Sequence, residues 1–159
     1  MNNFKYIKVI KTNYYENKEK GVNVCILKTD IGLEFKGIAR CKKEDMKYYS
    51  SILGGSIAIC IAEKKYYAAL IKYVTRFLKD NEYLLTDLAK KEYEQDLVKA
   101  QICYNKICKD MPTMIENYYK SKKRIENYLE RKRKGQPLTI MEDLQLKADK
   151  LRKMAKEKR

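Results

Sequence analysis

The chain has 159 residues, enough for one hydrophobic core plus an extension, with 45% apolar and 36% charged residues. That balance excludes a disordered chain, and the formal charge of +15, from 36 basic and 21 acidic residues, favours an anionic partner. The excess is spread: sixteen basic against eight acidic residues lie in 1–80, and twenty against thirteen in 81–159.

The chain starts Met1-Asn2-Asn3-Phe4-Lys5 without an apolar stretch, so no signal peptide is expected. The longest apolar run, Ile57 to Ala62, is too short to span a bilayer. A cytoplasmic protein without a membrane role is therefore expected. Five cysteines at 25, 41, 60, 103 and 108 form no Cys-x-x-Cys pair, and histidine is absent. That pattern argues against a zinc site and for thiols in a reducing compartment.

In chain order, Phe4 to Ile10 is rich in β-branched and aromatic residues and reads as a strand. Val22, Val24 and Ile26 alternate with Asn23, Cys25 and Leu27, and Thr29-Asp30-Ile31-Gly32 reads as a turn. The next run puts Leu33, Phe35, Gly37, Ala39 and Cys41 on one face and Glu34, Lys36, Ile38 and Arg40 on the other. A small antiparallel sheet follows, with one face needing cover. From about Ser51 to Lys79 the chain is helical and apolar on more than one side, which calls for two partners. The sheet is one. A second helix, or a second copy of the chain, is the other.

Asp80-Asn81 is a break, and beyond it the pattern is helical. Leu97, Tyr104, Met111, Tyr118 and Ile125 recur every seven residues, with Ala100, Ile107, Met114, Ser121 and Tyr128 three positions on. Pro112 interrupts this seam, so either one kinked helix or two helices joined near Asp110 is expected. Gly135-Gln136-Pro137 reads as a stop, and Thr139 to Glu142 as a capping box opening a last helix with a Leu144, Ala148, Leu151, Ala155 stripe. The expected fold is α+β: an N-terminal antiparallel sheet covered by an apolar helix in 1–80, then a helical hairpin or coiled-coil extension in 81–159. The seam and the over-apolar helix point to a homodimer or higher oligomer.

The strongest functional signal is the segment from Tyr118 to Lys134, with eight basic residues and two acidic ones. At 100° per residue, Lys120, Lys123, Arg124, Asn127, Arg131 and Lys134 fall within an arc of about 100°. The seam lies about 120° away, and Tyr119 adds an aromatic ring beside the stripe. Such a stripe can follow a phosphate backbone or hold a nucleotide's phosphates, although a charge run is also the ordinary form of a solvated helix face.

Tyrosine is the second signal, with four Tyr-Tyr pairs. Helical rows assign Tyr66, Tyr73, Tyr104 and Tyr128 to packing, and leave Tyr14, Tyr15, Tyr48 and Tyr49, in loops flanking the sheet, as base-stacking residues. For catalysis there is no histidine, glycine-rich phosphate loop, Gly-x-Ser-x-Gly or metal cluster, and the Glu44-Asp45 pair fits a helix start equally well. A non-enzymatic binding protein without a cofactor is expected.

Residues 20–80 resemble a module of small phage and prophage proteins of unknown function. Its features are a β-hairpin ending in Gly-x-Ala-x-Cys, an acidic turn and a helix marked by Gly and Ala. Here these are Gly37, Ala39, Cys41, Glu44-Asp45, Gly55, Ala58 and Ala62, with a departure at the apolar Ile59-Cys60-Ile61. The resemblance implies a mobile-element origin. It also implies either capture of nucleic acid or of an anionic nucleotide such as a defence signal, or docking on a host defence complex such as a CRISPR effector (an anti-CRISPR role).

Overall fold

A computed structural model describes residues 7–136 and, beyond them, Leu144, Lys147 and Ala148. Strands β1 (Val9–Asn17), β2 (Val22–Thr29) and β3 (Glu34–Arg40) form an antiparallel meander in that order. A short 3-10 helix, Lys43–Tyr48, leads into α1 (Ser51–Asp80), and α2 runs from Asp87 to Arg133. The α+β class matches the sequence pattern. Two compact units result, 1–115 and 116–159. The expected boundary at 80/81 coincides with the end of α1, but the first turns of α2 pack on α1 and belong to the first unit.

In β2 the alternation is clear: Asn23, Cys25, Leu27 and Thr29 are buried toward α1, while Val22, Val24, Ile26 and Lys28 face the other way. On β3, Phe35, Gly37 and Ala39 share the helix side. Small residues set the distance between the two layers. A Cβ on Gly37 would run into the Ala58 carbonyl and the Ala62 amide of α1, so the glycine lets strand and helix backbones touch. Ser50 caps α1, its Oγ accepting from the Leu53 N–H at 3.2 Å. Further along α1, Tyr66 fills the core, its ring edge-on to Phe35 and its O–H donating to the Ile7 carbonyl at 2.6 Å.

The second partner of α1 is α2. Ala100 and Ile107 are buried in one core with Tyr67, Leu70 and Val74. Phe77 stacks on Tyr93 at 4.7 Å, and Lys64 lies 5.7 Å over the Tyr104 ring. As residue numbers rise along α1 their partners on α2 fall, so the helices run antiparallel. The seam from Leu97 to Ile107 is thus occupied within the chain. The choice that the sequence left open, a second helix or a second copy, falls to the helix here.

Two expectations change. The first strand runs Val9–Asn17, well past the expected end at Ile10, and Ile7 and Lys8 precede it; the expected strand residues 4–6 lie outside the described residues. Tyr14 and Tyr15 are strand residues and not loop residues: pairing with Cys25 and Val24 supplies the backbone partners that polar Asn13, Glu16 and Asn17 would not suggest. At Pro112, where the sequence left open one helix or two, α2 runs through as a single helix. The capping box at 139–142 and most of the final stripe lie outside the described residues. Leu144, Lys147 and Ala148 are helical.

Candidate nucleic-acid interface

The stripe lies on the part of α2 within the second unit. Lys120, Lys123, Arg124, Asn127 and Lys134 are exposed, Arg131 is half-buried, and Tyr119 is exposed with Lys122 5.9 Å over its ring. Helical spacing therefore brings the expected residues onto one accessible face. Two of the lysines are held in ion pairs along the helix. Lys120 pairs with Glu116 at 2.7 Å and Lys134 with Glu130 at 2.7 Å, each one turn away. The lysine hydrogen bond, then its charge, holds each carboxyl below the usual carboxylate range.

Glu116 falls inside the cationic arc at 100° per residue and was missed because the segment was counted from Tyr118. Lys123 and Arg124 remain adjacent, exposed and in no ion pair among the described residues. Exposed i,i+4 pairs contribute little to stability. Lys120 and Lys134 could therefore exchange their carboxylates for another anion at small cost.

The tyrosines divide differently from expectation. Tyr14 donates to Asn23 Oδ1 at 2.5 Å, Asn23 Nδ2 donates to Tyr49 Oη at 2.8 Å, and Tyr49 donates to Glu16 at 2.8 Å. Hydrogen bonds from Ser51, then Tyr49, hold the Glu16 carboxyl below its ordinary range. Asn23 is 1% exposed, and this network ties β1, β2 and the segment before α1 together. The network thus holds the Tyr14 and Tyr49 hydroxyls, while Tyr14 stays 45% exposed. Gly55 makes room for Tyr14, since a Cβ there would sit 2.5 Å from its hydroxyl. Tyr48 lies under Lys47, 4.6 Å from the ring centroid, and Tyr15 remains exposed.

Among the packing tyrosines, Tyr66 is buried and Tyr104 and Tyr128 are half-buried, whereas Tyr73 is exposed and stacks on Phe77. The Glu44-Asp45 pair opens the 3-10 helix, with Asp45 buried. Among the described residues no helix is long and apolar enough to cross a membrane. No protein-family model, curated protein or solved structure matches the chain.

Proposed function

We propose that this is a non-enzymatic cytoplasmic binding protein that captures nucleic acid or an anionic nucleotide on the α2 stripe. The observation that carries the reading is the adjacent, exposed Lys123 and Arg124, in no ion pair among the described residues and flanked on one helix face by Lys120, Arg131 and Lys134. A helix face offering cations on successive turns matches the repeating charge of a phosphate backbone. In this reading the protein is of mobile-element origin and acts against host immunity. Ile125 and Leu129, exposed one turn apart on the same helix, would support self-association into a homodimer or higher oligomer.

The test is fluorescence-polarisation binding to labelled duplex DNA and single-stranded RNA, for the native chain and for Lys123→Glu, Arg124→Glu, Arg131→Glu combined. Binding should fall at least tenfold in the triple variant while its circular dichroism is unchanged. Equal affinities would remove the stripe from the proposal.

A second reading has its own observation. Tyr83, Leu84 and Leu88, at the turn between α1 and α2, are 97%, 82% and 73% exposed. A cluster of this kind favours docking on a protein, such as a host defence complex of the CRISPR-effector class. The seam residues Leu97, Tyr104, Ile107 and Met114 serve that reading less well, since all four are buried or half-buried in the chain itself. A pull-down that survives nuclease treatment and is lost in Tyr83→Ser, Leu84→Ser would favour it.

A further inference from the structure

The meander has a second face. Because Asn23, Cys25, Leu27 and Thr29 point at α1, the register places the intervening residues of all three strands on the opposite side. Tyr15, Val24 and Ile38 form one rung across the sheet, β1 to β2 to β3. Tyr15 is 56% and Ile38 36% exposed, so the rung is accessible. One rung away on β3 stands Arg40, paired with Val22. One rung the other way stands Lys36, paired with Ile26. Rungs on one face repeat about every 6–7 Å, and β3 lies two strand spacings of about 4.8 Å from β1, so Lys36 and Arg40 stand on either side of the Tyr15 rung at about 12 Å from Tyr15, backbone to backbone. Beyond them Lys28 pairs with Glu34 at 2.6 Å, and the Lys28 ammonium also feels the Tyr15 phenol.

We propose that this open face is a stacking platform for single-stranded nucleic acid, with Tyr15 under a base and Lys36 and Arg40 on the flanking phosphates. Charge decides the occupant. Lys11, Lys28, Lys36 and Arg40 meet a single carboxylate, Glu34, which already holds Lys28. A second copy laid on the same face would oppose cations with cations and supply no free acid, which disfavours it. An accessible aromatic ring on a flat aliphatic surface between cations matches the π-face of a base and the charge of its phosphates. The face belongs to the first unit and needs nothing from the stripe on α2.

The experiment compares a labelled deoxythymidine 12-mer with a duplex of equal length, for the native chain, Tyr15→Leu, Tyr15→Phe, and Lys36→Glu with Arg40→Glu. Each is also made in the Lys123→Glu, Arg124→Glu, Arg131→Glu background. Tyr15→Leu should weaken single-strand binding by roughly 5- to 100-fold, the range for loss of one stacked base. Tyr15→Phe should retain it, duplex affinity should hardly move, and the ratio should persist in the triple variant even if the stripe proves inert. Tyr15 is exposed on an edge strand, so circular dichroism should be unchanged.

Unchanged single-strand affinity in Tyr15→Leu overturns the proposal. So does equal displacement of the 12-mer by polyglutamate from Tyr15→Leu and the native chain, which would mean charge alone. A sedimenting dimer that Lys36→Glu with Arg40→Glu converts to monomer, without loss of 12-mer binding, would assign the face to a second copy instead.

Discussion

At the level of single residues, Tyr66 holds the sheet layer to α1 with one buried hydrogen bond. Burial, then the Asp30 charge, pushes its phenol up to about 12, from an ordinary value near 10. The folded state therefore keeps the proton longer than the unfolded chain does. The stability linked to this group is complete below about pH 10 and is lost as pH rises toward 12. Tyr66→Phe should flatten that alkaline decline in urea titrations between pH 9 and 11. At neutral pH it should cost about 1–3 kcal/mol, because the Ile7 carbonyl loses its donor. Gly37→Ala tests the close approach of β3 to α1. With backbone atoms on both sides of the contact, relaxation means moving a whole element, and a loss of about 1–3 kcal/mol is expected in the same titration.

At the level of elements, α2 carries both a packing function and a charged one, and Pro112 lies between them. Proline has no N–H to give to the carbonyl one turn back and crowds it, at a cost of about 3 kcal/mol in a helix interior. The helix continues past Pro112, with Ala100 and Ile107 anchoring its near side on α1. Pro112→Ala should raise the melting temperature and the helical circular dichroism signal. Ile107→Ala should destabilise by about 2–4 kcal/mol, the loss expected for a buried large-to-small change. It should do so without a concentration dependence, since α1 of the same chain is what the residue packs on.

At the level of the whole molecule, the question is whether +15 is a site or only a composition. Counterion release separates the two: log affinity falls with log salt at about 0.9 per phosphate neutralised on duplex DNA. Lys123→Gln and Arg124→Gln should each reduce that slope by about 0.9. Lys91→Gln and Lys109→Gln, exposed lysines elsewhere on α2, should leave it unchanged. Equal effects at all four positions would make the charge a diffuse property of the chain.

Much of the architecture was legible because it rests on local periodicity. The period of two in Leu33 to Cys41, the apolar helix from Ser51, the break at Asp80-Asn81 and the seam from Leu97 are all patterns that short-range geometry imposes. The cationic arc was legible for the same reason, since a helix fixes which residues share a face. Three things depended on long-range pairing, which no local window contains. The partner of the seam proved to be α1, because the turn at 81–86 folds α2 back along it. The hydroxyls of Tyr14 and Tyr49 meet on Asn23, which is distant from Tyr49 in sequence and brought beside it only by the tertiary fold. The rung of Tyr15, Val24 and Ile38 exists only through cross-strand register. Sequence by itself determined β2, β3 and the two helices, and which face of each is apolar or charged, but not the extent of β1. The tertiary structure alone decided which apolar faces are already occupied, because burial belongs to pairs of elements and not to either one.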